Sequence, residues 1–187
     1  LIYYHLKNPK WIRIGAEIET VPETKQYYCE VAERDKLIGL KEVLGKPEEQ
    51  NQTLIFSRMQ IRVDRLVKDL RRAGYDASGI HGGMRQKERD TVMHGFRVGN
   101  PKLLVATNVA ARGLDIPSIK LVVNFDIPDN VEDYIHRIGR TSRMGRPGTA
   151  VTLVSEWNLE AFDVIKKKMG DQLKELPLSL YSPTTVS

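Results

Sequence analysis

Arginine handles phosphate better than any other side chain, because its planar guanidinium is a rigid fork of donors that keeps its charge. This chain gathers arginines in one short segment, His136-Arg137-Ile138-Gly139-Arg140-Thr141-Ser142-Arg143. Arg140 and Arg143 are three residues apart, so on one helical turn they project from the same face. Two guanidinium groups placed this way can stabilise charge on a transferring phosphoryl group. Either arginine alone would read equally well as a solvated surface cation. A second segment, 106–115, packs Thr107, Arg112, Gly113 and Asp115 together. Gly113 lets the backbone come close to a ligand. Asp115 can accept hydrogen bonds from ribose hydroxyls, and Thr107 and Arg112 suit a phosphodiester. The plainer alternative is an ordinary strand-end loop with a helix cap.

The elements that must hold these segments alternate in type. Short apolar runs at 27–31, 53–57, 77–80, 102–106, 120–125 and 150–154 predict strands. Amphipathic stretches at 35–44, 61–73, 86–98, 131–138 and 156–169 predict helices, with Gly45 and Gly74 as stops. Such alternation implies an α/β fold, a parallel sheet with helices on both faces in three α/β/α layers. Ligand groups in these sheets gather beyond the carboxyl ends of strands. Gly82 and Gly83 follow one predicted strand and the segment 107–115 follows another, so both belong on the same rim. The Pro- and Ser-containing stretch from Leu173 onward reads as a tail.

Composition narrows the chemistry further. The 187 residues suit one domain, with 41% hydrophobic and 28% charged residues. No apolar run is long enough to span a bilayer, and the start of the chain lacks the pattern of a signal peptide. Cys29 is the only cysteine, which excludes an intrachain disulfide, and its apolar neighbours predict a core position. No metal site is expected. A net charge of +5 favours a polyanionic partner. There is no G-x-x-x-x-G-K-[ST] loop and no acidic pair suited to magnesium, so the chain should not hydrolyse ATP alone.

These segments resemble, in order, the motifs of the DEAD-box RNA helicase family. Leu54-Ile55-Phe56-Ser57 is similar to its motif IV. His81-Gly82-Gly83 followed by Gln86-Lys87-Glu88-Arg89 resembles H-G-D…Q-x-x-R. Segment 106–115 resembles A-T-D-x-x-x-R-G-x-D, and segment 136–143 resembles H-R-I-G-R-T-G-R. Asn124-Phe125-Asp126-Ile127-Pro128 also matches the family wording. The resemblance implies a C-terminal RecA-like helicase domain at 19–170. It places the end of the first helicase domain and a linker at 1–18, and a tail at 171–187. It implies that Arg140 and Arg143 reach the phosphates of ATP, with His136 coupling ATP to RNA and Arg137 supporting it. It gives Gly113 and Asp115 to the nucleotide, and Gly82, Gln86, Arg89, Thr107 and Arg112 to the RNA backbone. ATP and Mg2+ would be held mainly by the N-terminal RecA-like domain, which is the first expected partner. RNA and a protein regulator are the others, in the cytoplasm or the nucleus, with no membrane. Three positions depart from the family pattern: Gly83 and Asn108 replace aspartates, and Ser142 replaces a glycine. Two other functions would use the same fold: a non-catalytic RNA clamp or protein-docking module, and a DNA-directed helicase.

Overall fold

The computed structural model describes residues 24–112, 119–141 and 148–179. Among these residues, seven strands form one sheet: β1 Thr24–Glu30, β2 Thr53–Phe56, β3 Ala77–Ile80, β4 Leu103–Ala106, β5 Leu121–Asn124, β6 Gly148–Val154 and β7 Leu173–Glu175. Every pairing is parallel, and the spatial order is β3-β4-β2-β5-β6-β1-β7. The helices are α1 Lys36–Leu44, α2 Gln60–Arg72, α3 Gln86–Arg97, α4 Asn108–Ala111, α5 Val131–Ile138 and α6 Leu159–Met169. Strands β2 and β4 are buried at every residue. That explains why they read as unbroken apolar runs rather than alternating ones.

Handedness decides which face each helix covers. From β1 to β2 to β3 the chain steps in one direction across the sheet, and from β3 onward it steps back. Right-handed crossovers then put the first two helices on one face and the later ones on the other. The core divides accordingly. Leu40 of α1 and Val63, Leu66, Val67 and Leu70 of α2 pack with Ile55 and Val105. Met93, Phe96, Tyr134, Ile138, Phe162 and Ile165 pack on the opposite face with Leu54, Phe56 and Leu104. The α2 residues recur at helical spacing, and burying each contributes roughly 1.5–3 kcal/mol. Gly45 at φ 72 and Gly74 at φ 88 follow α1 and α2 in the left-handed region, as the sequence predicts. Cys29 is fully buried, and burial pushes its thiol up to about 12, so it is inert core.

Two expectations are corrected. The strand-end loop after β4 contains a helical turn, α4, in which the Thr107 carbonyl accepts from Ala111 N at 3.0 Å. Its small residues Ala110 and Ala111 are buried, which draws the turn onto the sheet. The stretch expected as a tail contributes β7, which pairs with β1 over Gln26–Tyr28. Leu173 and Leu178 are buried there, and Leu176 N donates to Tyr28 O at 2.8 Å. Without that strand the edge of β1 would stand open.

Candidate functional site

The helices that follow β2 and its neighbours β4 and β5 lie on opposite faces, so the carboxyl ends of these strands form a crevice. At its centre is Arg137, only 4% exposed. Its Nε donates to Asn108 Oδ1 at 2.6 Å, and its Nη1 donates to Asn124 Oδ1 at 3.1 Å and to Asp126 O at 2.7 Å. Its guanidinium carbon lies 4.8 Å from the centre of the Phe56 ring. Burial draws its pKa down to about 10 against the pull of Asp133, Asp126 and Asp129, which leaves it charged at neutral pH. A cation bound to acceptors on α4, β5 and the turn after β5 fixes α5 against both strand ends.

That clamp sets the outer wall. Asn108, Arg112, Asp133, His136 and Arg140 line one shallow recess. Arg112 Nη2 meets Asp133 Oδ1 at 3.3 Å, and the Arg112 side chain is 69% exposed. Asn130 caps α5 by accepting from Asp133 N at 2.8 Å. His136 lies on the exposed side of α5. Arg140 follows the end of the helix rather than lying within it. Its N–H donates to Arg137 O at 3.1 Å, and Thr141 N–H donates to Ile138 O at 3.2 Å. Buried Thr141 then anchors the turn through Oγ1 to Ile119 O at 3.0 Å. Gly148 leaves room for it, since a Cβ there would lie 2.6 Å from Thr141 Cβ.

A second group sits at the tips of β3 and β4, where Ile80 pairs with Ala106. Gly83 N–H donates to His81 Nδ1 at 3.2 Å, so Nε2 carries the hydrogen in the neutral ring and donates to Asp64 Oδ1 at 3.0 Å. Gly82 is exposed beside them. Gln86 opens α3, with its amide donating to Asp90 Oδ1 at 2.7 Å. Arg89 is half-buried one turn on, and its Nε has no hydrogen-bond partner among the described residues. Thr107 follows β4 at the start of α4 and is only 7% exposed. The expected residues thus fall into two groups on one rim: Gly82, Gln86, Arg89 and Thr107 around β3 and β4, and Arg112, His136 and Arg140 around α5. Gly113, Asp115, Arg143 and Ser142, like the expected linker at 1–18, lie outside the described residues.

Sequence reasoning missed a buried polar network on the other side of the crevice. Asp126 accepts from Ser57 Oγ at 2.8 Å and Arg58 N at 2.9 Å, and its Oδ1 lies 3.1 Å from Arg62 Nη1. Lys36, 2% exposed, lies 2.8 Å from Glu33 Oε2 and 3.7 Å from Asp126 Oδ1. Glu33 also accepts from Ser155 Oγ at 2.7 Å and pairs with Arg62. Burial opposes its ionisation, but the bonds from Lys36, Arg62 and Ser155 win and pull its carboxyl down to about 2. The available signal was Glu33 three residues before Lys36, a spacing that pairs charges on one helical turn. Among the described residues, no group of three or more His, Cys, Asp or Glu side chains is suited to a metal ion.

Comparison with known proteins identifies the architecture. Residues 35–145 match the family described as helicase conserved C-terminal domain. The human protein named probable ATP-dependent RNA helicase DDX46 is 41% identical over 174 residues, covering 93% of this chain and 16% of that protein. The Escherichia coli DEAD-box protein SrmB, solved bound to RraA, superposes with a TM-score of 0.79 at 34% identity, covering 87% of this chain and 95% of that one. Saccharomyces cerevisiae Dbp5, solved with RNA and ADP BeF3, gives a TM-score of 0.77 at 36% identity over 84% of this chain and 42% of that one. The chain spans 16% and 43% of two curated relatives, the DDX46 protein of Danio rerio and the Encephalitozoon cuniculi rRNA helicase RRP3. With the sheet order, the rim and these matches in agreement, the chain belongs to the helicase conserved C-terminal domain family and is a RecA-like C-terminal domain of the DEAD-box kind.

Proposed function

We propose that this domain is the C-terminal half of an ATP-dependent RNA helicase. It supplies arginine fingers, a ribose contact and half of an RNA-backbone groove to a site completed by an N-terminal RecA-like domain. The observation that carries this reading is the grouping of Arg112, His136 and Arg140 in one recess on a wall locked by buried Arg137. Arg140, with Arg143, meets the γ-phosphate of the ATP substrate when the two halves close. A guanidinium fixed before the reaction stabilises the charge that spreads over the phosphoryl oxygens and costs no reorganisation. Asp115 and Gly113 take the ribose. Mg2+ and most of the triphosphate belong to the other half. Gly82, Gln86, Arg89, Thr107 and Arg112 hold the sugar-phosphate backbone, so binding is largely independent of sequence. Contacts to 2′-hydroxyls select RNA over DNA. That Dbp5 was solved with RNA and ADP BeF3 supports the same use of this domain here. In the intact protein, Arg140→Ala should lower RNA-stimulated ATP hydrolysis by about 1,000-fold, the scale of an arginine finger. Turnover within about threefold of wild type would refute the assignment.

A further inference from the structure

Among the described residues strand β3 is one of the two edges of the sheet, and a groove runs down that edge away from the β3 tip. Asp64, Met84 and Val92 line it near the tip, and Lys68, Arg71, Arg72, Ser78 and Gly79 continue it toward the start of the strand. Three cations thus face a single carboxylate, and that carboxylate is engaged by His81 Nε2 at 3.0 Å. Lys68 makes no ion pair among the described residues. Arg72 is 68% exposed, and among the described residues its ion-pair partner is Asp69, at 3.7 Å. Arg71 donates to Ala77 O at 2.6 Å and to Ser78 Oγ at 3.2 Å, neutral partners that leave its charge uncancelled.

We infer that this groove takes the phosphate backbone of RNA flanking the segment held at the tip. The inference rests on the RNA reading of Gly82, Gln86 and Arg89. It goes beyond that reading by giving the strand a path along an element with no part in phosphoryl transfer. Continuity favours it: Gln60, at the start of α2, would touch a Cβ on either Gly82 or Gly83, so the tip and the top of the groove are one surface. Length favours it too. The eight residue steps from Asp64 to Arg72 rise about 12 Å along a helix, which suits about three stacked nucleotides at roughly 3.4 Å each.

The test uses the intact protein and labelled oligouridylates of about six and about twelve nucleotides, within the span of known single-strand sites. The variant is Lys68→Glu with Arg72→Glu, two exposed positions outside the proposed ATP and core RNA contacts; Arg71 is spared because it caps a strand carbonyl. Wild type should bind the longer RNA about tenfold more tightly than the shorter. The variant should keep its affinity for the shorter RNA and lose most of that gain, with the salt slope on the longer RNA falling by about 1.4, the value for two phosphate contacts. An undiminished length gain in the variant would overturn the inference while leaving the RNA reading intact. Absence of binding to either RNA by wild type would overturn both. A polyglutamate peptide that binds wild type but not the variant, with the length gain intact, would give the groove to an acidic protein partner instead.

Discussion

Replacing Arg137 by methionine tests the lock that the site depends on. The substitution keeps most of the side-chain volume and removes every donor. Three acceptors lose their partner: Asn108 Oδ1, Asn124 Oδ1 and Asp126 O. A hydrogen bond from a charged donor contributes roughly 1.5–3 kcal/mol, so the gross loss is about 5–9 kcal/mol. Part of it is offset, because burying the guanidinium is itself costly, as the fall of its pKa to about 10 records. The expected net loss is about 3–5 kcal/mol, in line with breaking other buried charged networks. That is a large fraction of the roughly 5–15 kcal/mol that holds a domain together. Urea denaturation should show a lower midpoint with an unchanged slope. Arg137→Lys keeps the charge but brings a point donor where a fork is needed, and should recover only part of the loss. A methionine variant within about 1 kcal/mol of wild type would show that the network is not what holds α5 in place.

The folded-state pKa of Glu33 lies at about 2, below its ordinary 4.5, so its contribution is complete above pH 4.5 and is lost as pH falls toward 2. Glu33→Gln should therefore cost about 3 kcal/mol at neutral pH, and the gap from wild type should close across that acid window in urea titrations. A gap that stays constant with pH would contradict the assignment. Gly148→Ala should destabilise by roughly 1–3 kcal/mol, because its methyl would collide with Thr141 and pull Oγ1 from the Ile119 carbonyl. Adding Thr141→Ala should recover part of the stability in thermal melts but not the RNA-stimulated turnover, since the Arg140 turn stays unanchored; full recovery of turnover would show that Thr141 does not position Arg140.

Long periodic elements are legible in this sequence because their burial is periodic. The stripe Val63, Leu66, Val67, Leu70 marks α2, and the apolar runs of β2 and β4 mark a sheet covered on both faces. The four residues of α4 and the three of β7 are too few to repeat any pattern, and each forms because a neighbouring element buries it. Arg112 and Arg140 can be named from sequence because their side chains suit phosphate, and His136 because its segment resembles the family motif. Their shared recess cannot, since it depends on where α4 stops relative to α5. The network of Glu33, Lys36, Arg62 and Asp126 is least legible of all. Charged residues are usually solvated, and beyond the Glu33–Lys36 pair the members come from separate parts of the chain, brought together only by the order of β1, β2 and β5.

Two of the departures from the family pattern have a local account. At Asn108 the acceptor needed by Arg137 Nε survives as an amide oxygen at 2.6 Å, so the link between α4 and α5 does not require a carboxylate. The positive charge of Arg137 is balanced instead by Asp126, Asp129 and Asp133, all of which favour its charged form. At Gly83 a Cβ would come to 2.5 Å from Gln60 Oε1, so a side chain here would require the Gln60 amide to move aside. The backbone N–H of Gly83 still fixes the His81 tautomer. In both places the chain keeps a hydrogen-bond geometry while giving up a negative charge beside the surface proposed to meet a polyanion. A less acidic rim repels a phosphate backbone less, so on the proposed RNA reading the two changes act in the same direction, toward firmer electrostatic hold, with the link between α4 and α5 preserved.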